Sequence, residues 1–404
     1  MTASQSDQSE RLHGLDGLRG AALLLGVVLH ASLSFFPTQI WIVADDQKSV
    51  WASGLFFVIH LFRMASFFLI AGLFGHMMLK RRGAAGFIKD RLIRIAGPLA
   101  AFWAPVMGGI VAVLVWNASL MGLTAADAPP PPNYDWTNIP LTHLWFLWVL
   151  LWFYAALVIV QAVASRLDRA DAVGRRLDRL AGGLVGPWGP LALGAPLAMA
   201  LWFEPNWIAF FGIPTPDAGL VPETAALVGF GLAFGMGVLL DRRRDLLKRM
   251  EVWAPAWLGL TLGAGTTALM LSGGPTPVLT PMTDPATKAM TAAAFGVATY
   301  ASIFAVVGLA LRFWSGHSAL RRYLADASYW IYILHLPLVM AAQGVVKDWP
   351  LVWPVKLAIV TVGVMAVCLA SYELMVRHGM IGRWLNGRRV PWRLARVRLP
   401  VAAE

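Results

Sequence analysis

Long apolar runs alternate with short, charge-dense connectors along the whole chain. A helix of about 20 mostly apolar residues crosses a bilayer. Ten runs approach or exceed that length, at about 17–37, 51–79, 93–116, 143–164, 188–203, 220–240, 253–272, 289–311, 328–346 and 353–375. The fifth is short and flanked by prolines. The pattern predicts an all-α, polytopic integral membrane protein with about ten transmembrane helices.

The connectors orient it. With the N-terminus in the cytoplasm, the inner connectors include KRRGAAGFIKDRLIR, SRLDRADAVGRRLDR, DRRRDLLKR, RRYLAD and the C-terminal RHGMIGRWLNGRRVPWRLARVR. The outer side keeps Lys48, Lys288, Lys347 and Lys356, with Asp45, Asp46, Asp127, Asp135, Asp217 and Asp284. Excess positive charge marks the cytoplasmic side, so both termini are expected there. The division is a cytoplasmic tail at 1–12, a membrane domain at 13–377 and a basic cytoplasmic tail at 378–404. The outer loop PPPPNYDWTNIP opens on four prolines, which favour a stiff spacer.

Composition narrows the function. Hydrophobic residues make up 58% of the 404 and charged residues 14%, with a mean hydropathy of +0.63. The net charge of +11 is split among five connectors, which fits topology and attraction to anionic lipid rather than nucleic-acid binding. The single Cys368 excludes an internal disulfide, and no metal site is expected. The polar N-terminal tail and the length of the first apolar run do not match a cleavable signal.

Polar residues inside the apolar runs carry the chemistry, because ionisable side chains in a membrane are costly and face a protein interior or a wet cavity. Arg19 and His30 are eleven positions apart in LDGLRGAALLLGVVLHASLSFF, on one helix face and roughly 16 Å apart along the axis. His60 and Arg63, one turn apart, fall at a depth similar to that of His30. Arg63 is either an internal tether to a carbonyl or carboxylate, or a charge placed in a substrate cavity. Arg91 and Arg94 open the third run and serve either lipid headgroups or the phosphates of a cofactor. His143 stands at the outer edge of the fourth run, ahead of the Trp145, Trp148 and Trp152 stripe. Tyr332 and His335 share a face of the ninth, where Pro337 is expected to loosen the backbone and open a polar pocket. Glu373 and Arg377 form an i, i+4 pair, and Asp16 is a counter-ion or helix-start residue for Arg19.

LDGLRG followed by His30 resembles the first-helix signature of the acyltransferase-3 family of membrane O-acyltransferases, a basic residue, ten others, then His. The resemblance extends through FRMASFFLIAGLF, RLIRIAGP, HLWFLW, SYWIYILHLPLV and SYE, covering about residues 11–377. HLFRM–FFLIAG and YWIYILHLP look most like a branch that includes a succinyltransferase of periplasmic glucans. The resemblance implies Arg19 and His30 as the functional pair, with Arg63, Arg91, Arg94 and His335 as further site residues. It also implies transfer of a succinyl or acetyl group from cytoplasmic acyl-CoA to a hydroxyl of an extracytoplasmic glycan. The imidazole of His30 suits removal of the hydroxyl proton as general base, with an acyl-histidine intermediate as the other route. The expected location is the bacterial inner membrane. No appended hydrolase-like domain follows Glu373, so the membrane domain or a periplasmic glycan-synthesis partner would recognise the acceptor. Two other classes stay open: a transporter or flippase for an anionic glycan or lipid, and a structural or sensor protein whose histidines are incidental.

Overall fold

A computed structural model of the chain describes residues 3–122, 133–167 and 172–387, without the side chains of residues 3–12. The polyproline run at 129–132 and the basic residues beyond 387 lie outside the described residues. The molecule is helical: α1 (Ala3–Ser32), α2 (Val50–Arg91), α3 (Gly97–Leu120), α4 (Trp145–Leu167), α5 (Ala172–Leu184), α6 (Gly189–Phe203), α7 (Thr224–Arg242), α8 (Leu246–Leu271), α9 (Pro285–Phe313), α10 (Ala319–Val346), α11 (Trp353–Ser371) and α12 (Met380–Asn386). Among the described residues the only extended pairing is one isolated antiparallel bridge, Pro140 with Ala218.

Among the described residues, eight helical stretches are long and apolar enough to cross a membrane, or nine if the bent pair α5–α6 is one span. One of the eight, Val50–Leu120, is 71 residues long and reverses direction. Its first part runs antiparallel to α1, with Phe56 against Phe36 and Arg63 against Gly26. Its last part, α3, runs alongside α10, with Phe102 on Trp330 and Gly109 against Pro337. The break falls at Gly83, whose φ of 68° and ψ of 174° suit a residue without a Cβ.

α1 begins earlier than the first apolar run and ends at Ser32, followed by a 3-10 turn at Leu33–Phe35. His30 therefore sits in its last turn. The short, proline-flanked fifth run is α6, which meets α5 at 102°. α5 is polar on one face, where Asp178 accepts from Arg242 of α7 at 2.8 Å, the habit of a helix lying in an interface.

Charge is sorted between the two ends of the bundle. One end gathers the Arg82–Asp90–Arg91–Arg94 cluster, the Arg242–Asp178 pair and the Arg377–Glu373 pair at 2.8 Å. At the other, Lys356 of α11 donates to Asp45 at 2.8 Å and to the Lys347 carbonyl at 2.6 Å, with both charged side chains 2% exposed. This ion pair fastens the 33–49 loop over the end of α1. Truncating one member of a buried pair leaves the other charge uncompensated, at a cost of about 3–5 kcal/mol. Asp45→Ala should therefore lower the thermal unfolding midpoint in detergent sharply, and Lys356→Met in the same chain should restore part of the loss.

Candidate active site

The polar residues of α1, α2, α4 and α10 converge on one cavity of about 1190 Å³. Arg19, Arg91, Arg94 and Asn386 line it at the arginine-rich end. His30, His60, Arg63, His143, Tyr332 and His335 line its middle, and Trp41, Thr215 and Asp217 its far end. All six site residues expected from the sequence are among its walls.

At the centre, the His30 and His335 rings are 5.2 Å apart, and His335 and His143 stand edge-to-face at 5.0 Å. His335 Nδ1 is 2.8 Å from the Tyr332 carbonyl. A carbonyl only accepts, so the proton is on Nδ1, and Nε2, buried with no partner among the described residues, carries the lone pair. His30 Nδ1 is likewise buried without a partner among the described residues. His143 is held differently. Its Nε2 is 3.1 Å from the Ile333 carbonyl, and its own carbonyl accepts from the Tyr332 hydroxyl at 2.6 Å.

Pro337 explains the Ile333 contact. Proline lacks the N–H that would bond the carbonyl four residues earlier, and residue 333 is that position. α10 runs unbroken through Pro337, so the expected loosening takes the form of one freed carbonyl, which His143 occupies. Beside it, Thr142 has a φ of 47°, unusual for a β-branched residue. Two backbone donors, Leu141 and Thr142, bond the Asp217 carbonyl at 2.8 and 2.9 Å and hold that turn.

Arg63 decides between the two readings of its role. Its guanidinium packs against Gly26, one turn before His30, where any Cβ would collide with Nη1. Among the described residues it forms no ion pair, and its Nε is buried without a partner. An internal tether would show a bonded carbonyl or carboxylate; this cation faces the cavity. His60, one turn away, stacks on Phe56 at 5.1 Å and lies on the wall.

Arg19 is 3.4 Å from Asp16 and 3.4 Å from the Ala325 carbonyl, so Asp16 is its counter-ion. Arg91 and Arg94 share Asp90, whose side chain is 4% exposed, and Arg82 joins them across the Gly83 break at 2.7 Å. Arg91 is largely committed to packing, over the Phe87 and Tyr154 rings and toward the Tyr154 hydroxyl at 3.3 Å. Arg94 lies in a turn of π-helix, Leu92–Ala96, whose carbonyl at 94 accepts from Tyr329 at 2.7 Å. Glu373 binds Arg377, Tyr323 and His378 outside the cavity. Asp90, Trp41 and Tyr329 were not singled out in the sequence. Asp90 is one acid among many basic residues, and the other two resemble ordinary interfacial aromatics.

Residues 12–373 match the family model described as an acyltransferase domain, the acyltransferase-3 family. The chain is also similar to the "Glucans biosynthesis protein C" of Escherichia coli K12 and of Escherichia coli O1:K1, at 27% identity over 178 residues in each case. The aligned part is 42% of this chain and 44% of the relative, so the match spans less than half the length of the curated relatives. No solved structure matches the chain.

The unpaired state of Arg63 makes a stability prediction of unusual sign. Replacing a part-buried charge that has no counter-ion among the described residues by an apolar side chain of similar length removes a desolvation cost and should stabilise the fold. Arg63→Met should raise the thermal midpoint in detergent. A fall of several degrees would show that Arg63 is a tether after all.

Proposed function

Because the chain belongs to the acyltransferase-3 family, we propose that it is a membrane O-acyltransferase that moves an acyl group across the bilayer through its central cavity. The observation that carries this reading is the run of one cavity from an arginine-lined end, past four histidines and a cation, to the opposite end of the bundle. On this reading the arginine-rich end is cytoplasmic, as the positive-inside rule requires. Both termini then lie in the cytoplasm of a bacterial inner membrane. On the same reading the two limbs of Val50–Leu120 and the short α6 are each taken as a crossing.

The donor is acyl-CoA, either succinyl-CoA or acetyl-CoA, approaching from the cytoplasm with its phosphates toward Arg19, Arg91 and Arg94. Forked guanidiniums suit phosphate. The acceptor is a glycan hydroxyl arriving from the other compartment, alone or handed over by a periplasmic glycan-synthesis partner. His30 takes the hydroxyl proton as the oxygen attacks the thioester carbonyl. Arg63 holds the developing oxyanion. The C–S bond breaks, the ester remains on the glycan, and the proton on His30 passes to the departing thiolate. His335, with its lone pair on Nε2 5.2 Å ring-to-ring from His30, supports the imidazolium that forms. The name of the Escherichia coli relatives supports a glucan as acceptor.

A two-ended cavity would also serve a transporter, the competing reading; movement of labelled glycan without consumption of acyl-CoA would favour it. Removal of a general base typically costs about 10²–10⁴-fold in rate. Membranes carrying His30→Ala at normal protein abundance should therefore show that loss in acyl transfer to glycan. Near wild-type transfer would exclude His30 as the base. Mass spectrometry of glycans from cells with and without the protein separates acetyl from succinyl by mass and charge.

A further inference from the structure

A second cavity, of about 530 Å³, opens beside the first at the arginine-rich end. Its cationic walls are Arg82, Lys89, Arg94 and Arg383, against one carboxylate among the described residues, that of Asp90. Asp90 is already shared by Arg82 at 2.7 Å, Arg91 at 2.9 Å and Arg94 at 3.4 Å. One carboxylate cannot neutralise that many cations, so this concave surface carries an excess of positive charge that favours a multiply charged anion. The remaining guanidinium N–H groups are suited to phosphate oxygens.

The two cavities are neighbours, and α12 is the wall between them. Leu385 and Asn386 face the main cavity, while Arg383, Trp384 and Gly387 face the second. α12 is fixed in that position. Trp384 Nε1 donates to the Ile93 carbonyl at 2.6 Å and its ring stacks on Phe102 at 6.0 Å. Asn386 donates to the Asp326 carbonyl at 3.0 Å. Gly387, at a φ of 74°, runs so close to the Arg94 guanidinium that a Cβ would overlap it. Arg94 lines both cavities. A ligand that uses both must have a compact polyanionic head and a long arm of low charge.

We propose that the second cavity seats the adenosine 3′-phosphate end of the acyl donor, with Arg383 and Lys89 taking the 3′-phosphate and Trp384 offering its ring to the base, while the diphosphate lies toward Arg94 and the main-cavity arginines. The acyl-bearing arm passes Arg94 into the main cavity toward His30. This rests on the acyltransferase reading and adds a division of labour within it: head outside α12, thioester inside. An anionic lipid headgroup shares the phosphate chemistry, and the experiment separates the two.

Full-length protein in phosphatidylcholine nanodiscs is titrated calorimetrically with CoA and with 3′-dephospho-CoA, as wild type and as Arg383→Ala and Lys89→Ala. The wild type should bind CoA about tenfold more tightly than dephospho-CoA, the value of one charge-assisted phosphate contact. Each variant should weaken CoA binding and narrow that gap, with an unchanged unfolding midpoint. Equal binding of the two ligands, with both variants neutral, overturns the nucleotide seat and leaves the acyltransferase reading standing. No CoA binding by wild type at any concentration defeats that reading itself. Replacing the lipid by phosphatidylglycerol gives the last arm: if anionic lipid abolishes CoA binding competitively, the cavity is a lipid headgroup site and the proposal is wrong.

Discussion

An arginine inside a membrane protein stays charged, and a charge in that setting requires an opposite charge, a set of dipoles or water. Arg63 has no carboxylate among the described residues, and its buried Nε has no acceptor. Much of the interior is arranged around that condition. α1 presents Gly26, so the guanidinium can lie against the helix one turn from His30. α10 and α4 close the other side with His335, Tyr332 and His143. The cation is held near a cavity, where a developing negative charge would be its natural partner.

Several other buried charges among the described residues do meet an opposite charge. Lys356 meets Asp45 at one end of the bundle. His76 and Asp241 meet at 2.8 Å between α2 and α7, with Arg244 and Lys80 on the same carboxylate. Some of the irregular backbone borders the cavity. The positive φ of Thr142, the carbonyl freed by Pro337 and the π-helical turn at Leu92–Ala96 all border it. Strain and unsatisfied polar groups tend to collect where a fold has work to do beyond its own stability.

Much of this was legible in the sequence, and for a physical reason. A bilayer forces long apolar helices, so the ten apolar runs correspond to helices, and the polar residues interrupting them stand out. Spacing along one helix brought out Arg19 with His30, His60 with Arg63 and Tyr332 with His335. Contacts between helices were not legible. Nothing local says that Asp90 gathers three arginines, that loop residue Trp41 closes over His30 at 6.1 Å, or that α12 divides two cavities. The tether reading of Arg63 was open in the sequence because it depends on whether a distant carboxylate arrives, which only the packing decides. The fate of Pro337 was half visible: its missing N–H is a property of the residue, whereas the histidine that uses the freed carbonyl comes from another helix.

The central claim is that acyl transfer crosses the membrane through one cavity. The direct measurement uses sealed proteoliposomes of known orientation, with labelled acyl-CoA confined to the arginine-rich face and a glycan acceptor confined to the other. The account predicts labelled ester on the glycan in the opposite compartment, and none when donor and acceptor compartments are exchanged. Ester formed only when both substrates share one compartment would contradict it.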